Sequence, residues 1–218
     1  MLLLCGALAL ITKEKLGIVD IISVAVLIFG ILYSGSRIAF AITIVTVLAA
    51  VVFRRGKKAK LIIGSSFAAV VALALIYGAI SGNLQILTRF LSTSLTESTF
   101  VGRILYMADS LPLILKHPFG MGYMGYYFAH TSVQTGVYSL SFVHNEFLQL
   151  MLDIGWIPAI LFAAAIVYSF FKKGTALRER LIILAICAHS LFDFDLQFMV
   201  MVMLLVLCLD IKGGKQLE

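Results

Sequence analysis

Apolar residues fall along this chain in long unbroken blocks, not in the alternation of a half-buried strand, and short segments between the blocks collect most of the charge. The blocks cover 16–34, 38–53, 61–80, 147–171, 181–192 and 196–211. Several approach the ~20 residues with which a helix crosses a ~30 Å hydrocarbon layer. The pattern therefore predicts an all-α integral membrane protein with about six to seven transmembrane helices. The last two blocks are short, and read either as tilted helices or as one hairpin whose polar tip reaches the interface. Residues 1–11 are apolar but too short to span and lack a basic leader. They read as the end of a helix, and the chain as one lacking N-terminal helices that a complete relative carries.

The segment 81–143 interrupts the block pattern with aromatic residues, glycines and an amphipathic stretch of its own. Loops of this length are usually functional. Within it Ile104, Leu105, Ala108, Leu111 and Leu115 recur at helical spacing, with Arg103, Tyr106 and Ser110 on the other side, which predicts a helix lying along a membrane surface. Pro112 is expected to kink that helix or end its first half. Lys116-His117-Pro118-Phe119-Gly120-Met121-Gly122 then turns the chain. The organisation that results is 1–80, N-terminal transmembrane helices with the first incomplete; 81–143, a long extracytoplasmic loop bearing the amphipathic helix; and 144–218, C-terminal transmembrane helices.

Composition agrees with the block pattern. Of 218 residues 61% are hydrophobic and only 13% charged, and the mean hydropathy is +1.06, against an apolar share of roughly 45–50% in soluble domains. Charge adds orientation. Lys13, Lys15, Arg54, Arg55, Lys57, Lys58, Lys60, Lys172, Lys173, Arg178, Arg180, Lys212 and Lys215 fall on one set of connections. The other set holds Arg37, Arg89, Arg103 and Lys116. The positive-inside rule puts the first set in the cytoplasm and the second outside. The net charge of +6 is thus distributed over short inner loops and forms no patch for a nucleic-acid backbone. No nucleic-acid partner is expected.

Cys5, Cys187 and Cys208 lie in apolar blocks with no ligand-like spacing, so they read as core residues, with neither disulfide nor zinc site. Gly120, Gly122 and Gly125 spell G-x-G-x-x-G, but no strand precedes them and no βαβ unit contains them, which removes the nucleotide reading. Asp193-Phe194-Asp195 spells D-x-D, yet it falls on the outer side, away from any supply of nucleotide sugars, and reads as a polar hairpin tip. No metal and no cofactor is expected.

The densest polar cluster is Ser141-Phe142-Val143-His144-Asn145-Glu146-Phe147-Leu148-Gln149, where the long loop enters an apolar block. Burying a His, an Asn and a Glu beside hydrocarbon costs several kcal/mol unless something binds them, which marks this junction for chemistry. An imidazole, with an ordinary pKa near ~6.5, can accept a proton at neutral pH. A His at a helix start also serves as a hydrogen-bonding or capping group. Asn145 is suited either to cap the helix or to orient the imidazole. Glu146, Gln149 and Asp153, at i, i+3 and i+7, share one helix face, with His144 roughly opposite Asp153.

Read in order, Ser34-Gly35-Ser36-Arg37, Arg103, His117-Pro118-Phe119-Gly120-Met121-Gly122, His144-Asn145-Glu146-Phe147-Leu148-Gln149 with Gly155, and His189-Ser190-Leu191-Phe192-Asp193-Phe194 resemble the O-antigen ligase and polymerase superfamily of bacterial membrane glycosyltransferases, in its C-terminal portion. Tyr106 stands where a tryptophan is often found, and Pro112 is unusual for the loop helix. The resemblance implies a GT-C-like helical fold in the inner (plasma) membrane, with the site facing the periplasm or exterior. It implies transfer of an undecaprenyl-diphosphate-linked oligosaccharide to an acceptor glycan or lipid A-core hydroxyl. On this resemblance His144 is the catalytic residue. Arg37, Arg103 and, less directly, Arg89 suit the diphosphate, since guanidinium pairs phosphate oxygens bidentately; Asn145, Glu146, His189 and Asp193 are supporting residues. Membrane lipid is the surrounding partner.

Two other readings stay open. A transporter or flippase of lipid-linked sugars would place its site near the midplane between paired broken helices, and Asp20 and Asp153 are the intramembrane carboxylates that suit it. A truncated, inactive remnant is the third.

Overall fold

The computed structural model describes residues 1–13, 15–53, 57–80 and 98–209, and these are all-helical with no strand. Arg89, Arg54, Arg55, Lys212 and Lys215 lie outside the described residues. The helices are α1 (Leu2–Ile11), α2 (Ile18–Tyr33), α3 (Arg37–Phe53), α4 (Lys57–Ile80), α5 (Ser98–Lys116), α6 (Gly125–Ala129), α7 (Glu146–Asp153), α8 (Trp156–Phe171), α9 (Leu177–Ser190) and α10 (Met199–Cys208), with a 3-10 turn at His130–Ser132. Among the described residues no helix is long and apolar enough to cross a membrane.

The chain forms two compact units, 1–93 with 176–189, and 94–175 with 190–218. In the first, α1 packs on α2 and α3, and α4 on α2 and α3. Leu4, Leu8, Ile11 and Ile28 are buried there, while Ile18, Val19, Ile22, Val26, Phe29 and Tyr33 of α2 are exposed. Helix α2 is therefore apolar on its packed and unpacked sides alike, unlike the surface helix of a soluble domain. Cys5 and Cys208 are buried thiols, and Cys187 is a half-buried one.

In the second unit α7 is the hub, packed by α5, α6 and α8 around buried Leu113, Ile114, Tyr126, Val143 and Leu152. Two sequence expectations are corrected here. The apolar block 147–171 is not one helix: it breaks at Gly155, whose φ is +95°. Any Cβ at Gly155 would run into the Pro118 carbonyl and the Phe119 backbone, so the close approach of the 117–122 turn forces both the glycine and the break. Pro158 falls in the first turn of α8, where its missing N–H costs nothing. At Pro112, expected to kink the loop helix or end its first half, it is the second alternative that fails, since α5 runs through it to Lys116. Arg103 sits inside this helix.

Candidate functional site

The site is built on the two ends of α7. At the N-terminus Asn145, in extended backbone, accepts the Leu148 N–H on its Oδ1 (3.0 Å) and so caps the helix. Its Nδ2 donates to the Leu191 carbonyl (3.1 Å). At the other end the N–H groups of Met121 (2.7 Å) and Gly122 (3.0 Å) reach the Leu152 and Asp153 carbonyls, which α7 leaves without intrahelical donors. That turn needs φ of +78° at Gly120 and +81° at Gly122. The His-Pro-Phe-Gly-Met-Gly segment is thus a backbone clamp on α7.

The polar stripe of α7 is satisfied largely from within. Buried Gln149 accepts the Val143 N–H (3.1 Å) and donates to Asp153 Oδ1 (2.8 Å). Glu146 is buried and takes a hydrogen bond from Gln197 Nε2 on Oε1 (2.9 Å), while its Oε2 has no partner among the described residues.

His144 precedes the cap with φ of +54°, a left-handed angle that costs a non-glycine residue on the order of 1–3 kcal/mol. The neighbouring bonds of Val143 and Asn145 hold it there. Its Nδ1 lies 3.7 Å from Asp193 Oδ1, beyond hydrogen-bonding distance, and makes no hydrogen bond among the described residues. Its ring stands 5.1 Å from that of Phe194 and 6.5 Å from that of Tyr106. From α5, Arg103 Nη1 donates to the Phe192 carbonyl (2.6 Å), and among the described residues no carboxylate pairs with its guanidinium. Segments far apart in sequence, at 103, 144–145 and 191–194, therefore meet at one turn.

The loop before α7 is tied to α5 by Asp109. This buried carboxylate accepts the Thr135 N–H (2.8 Å), the Thr135 hydroxyl (2.9 Å) and the Tyr138 hydroxyl (2.7 Å). Burial by itself pushes its pKa up, but these bonds outweigh it and hold the carboxyl below its ordinary value. Burial, and the bond to Asp109, push the Tyr138 phenol well above its own. Tyr138 packs on Tyr106 (4.6 Å between ring centres) and so backs the ring that faces His144. Sequence reasoning missed Asp109, Tyr138 and Gln197; only the polar side of the loop helix hinted at Asp109.

Arg37 and His189 lie in the first unit. Arg37 opens α3, where Ser36 Oγ accepts the Ala39 N–H (3.3 Å) and Gly35 takes φ of +69°. His189 is buried in the last turn of α9. Asp193 and Asp195 lie beyond that helix, and the described residues hold no cluster of His, Cys, Asp and Glu fit for a metal.

No curated protein and no solved structure matches the chain. The model of the O-antigen ligase family does, over residues 22–163, a stretch that contains Arg37, the loop helix with Arg103, the glycine clamp and the capped His144 junction. The match takes in well over half of the chain, and the protein belongs to the O-antigen ligase family.

Proposed function

We infer that this protein is a membrane glycosyltransferase of the polysaccharide ligase or polymerase type, moving an oligosaccharide from an undecaprenyl diphosphate carrier to an acceptor sugar hydroxyl. The observation that carries this reading is the convergence of Arg103 and His144 on the 191–194 turn. His144 accepts the acceptor's hydroxyl proton on the ring nitrogen away from Asp193, and Asp193 orients the ring and offsets the imidazolium charge. The freed oxygen pair forms the bond to the anomeric carbon. The bond from that carbon to the diphosphate oxygen breaks, with its electrons leaving on the lipid diphosphate, and the centre inverts. Arg103 meets the charge growing on the leaving group. The 3.7 Å separation from Asp193 suits a resting site that tightens when substrate binds. Arg37 is a further candidate for donor phosphate on sequence grounds.

A bilayer setting is supported by the outward apolar faces of α2 and α5. On α5 the exposed Val101, Ile104, Ala108, Leu111 and Leu115 form one stripe, while Asp109, Ser110 and Leu113 are buried. A stripe of that length turned away from protein suits a lipid surface.

The test is reconstitution with a lipid-linked oligosaccharide in proteoliposomes. The wild type extends or transfers the glycan. His144→Gln, which keeps bulk and one hydrogen-bonding nitrogen, loses about 10²-fold or more in rate, the usual size of a lost general base, with donor binding intact. Movement of the carrier across the bilayer without transfer would replace this reading with a flippase, and near-wild-type turnover by the Gln variant would leave His144 as a positioning residue.

A further inference from the structure

Aromatic rings continue outward from His144. Phe194 (5.1 Å from the imidazole) packs on Phe142 (5.7 Å), and Phe142 on Tyr123 (6.3 Å), the three rings successively tilted. Phe194 and Phe142 are half-buried, and Tyr123 is 72% exposed. Tyr123 follows the glycine clamp, Phe142 lies two residues before strained His144, and Phe194 is on the 191–194 turn, so the contacts that shape the His144 site also set this row.

The geometry points to Tyr123, Phe142 and Phe194 as the binding subsite for the acceptor sugar, stacking the apolar face of a pyranose ring and leading its hydroxyl to His144; this rests on the transferase reading above. A pyranose turns axial C–H bonds, which carry partial positive charge, to one side and keeps its hydroxyls at the rim. The negative face of an aromatic ring suits the first, and water the second. The row is assigned to a solute and not to the bilayer because it starts at His144, on the side of α5 opposite that helix's outward apolar stripe. At 100° per residue Tyr106, which faces His144, lies on the opposite side of that helix from Ile104, Ala108, Leu111 and Leu115. The exposed ring of Tyr123 is connected to His144 through Phe142 and then Phe194, which touches the imidazole. A carrier diphosphate needs cations, which Arg103 supplies, and finds no use for three rings.

Binding is measured without turnover. Saturation-transfer NMR on the full-length protein in nanodiscs uses methyl glycosides of glucose, galactose, rhamnose and N-acetylglucosamine as probes. At least one glycoside should receive saturation at its axial C–H protons. Tyr123→Leu and Phe142→Leu, which keep apolar bulk but remove the ring, should weaken it roughly two- to tenfold, the worth of a ring contact, and Tyr123→Phe should retain it. Saturation with none of the probes, or equal saturation in the Leu variants, overturns the subsite. So does a Tyr123→Leu variant whose one change is looser insertion into the bilayer, since the ring is then an interfacial anchor. The transferase reading fails separately: saturation with no transfer in reconstituted protein removes that reading and keeps a sugar site, while transfer without saturation does the reverse.

Discussion

At the scale of the residue the site depends on charges held where they have few competitors. Arg103 gives one N–H to the Phe192 carbonyl, which fixes the direction of the guanidinium that the proposed function turns to the donor diphosphate. Arg103→Lys keeps the charge but loses the planar fork, and should lower the rate at limiting donor by about tenfold, with Arg103→Ala falling further. Equal donor dependence of wild type and Ala, at matched protein levels, would remove the phosphate role. Asp109 makes a separate prediction. Its folded pKa is depressed, so the clamp it forms contributes above the ordinary carboxylate range near ~3.9 and is lost as pH falls through the folded value. Amide-exchange protection of 130–138, corrected for intrinsic rates, should hold from neutral pH to about pH 5 and drop only in stronger acid. Asp109→Leu leaves the Thr135 N–H and the Tyr138 hydroxyl without their acceptor, and should lower protection at every pH. Undiminished protection in that variant would mean the carboxylate does not hold the loop.

Among the elements, α7 stands out because a helix of eight residues is too short to persist alone. It is held by a side-chain cap at one end and by backbone donors from the 117–122 turn at the other. The two glycine positions of that junction predict different outcomes. Gly155→Ala faces both an unfavourable angle and the Pro118 carbonyl, whereas Gly122→Ala meets the angle alone, with nothing within 4 Å of the added carbon. The angle costs roughly 1–3 kcal/mol in each case. Thermal melting in detergent should therefore place Gly155→Ala clearly below Gly122→Ala, with transfer activity lost alongside. Equal melting temperatures would show that the turn does not press on α7.

For the whole molecule the proposed function requires the site to face the outer side of the bilayer. With Cys5, Cys187 and Cys208 replaced, a cysteine at exposed Val137 should react with an impermeant maleimide in intact cells, and one at exposed Lys173 only after lysis. The reverse result would put the 130–145 segment in the cytoplasm, away from any acceptor at the outer surface, and would end the proposed function.

Helical structure among the described residues, the apolar blocks and the motif segments were legible in the sequence because they rest on local periodicity and on residue types that need particular surroundings. The stripe Ile104, Ala108, Leu111 and Leu115 could be read from its spacing. That its other side buries Asp109 could not, since the carboxylate takes that place only with Thr135 and Tyr138, partners 26 and 29 residues away. The break at Gly155 was hidden for a similar reason: an apolar block reads as one helix until the Pro118 backbone presses against it. The convergence of Arg103 and Asn145 on the 191–194 turn spans separations of 89 and 46 residues. No local pattern encodes contacts at that range; they follow from how α5 and α7 pack, and only the tertiary structure decided them.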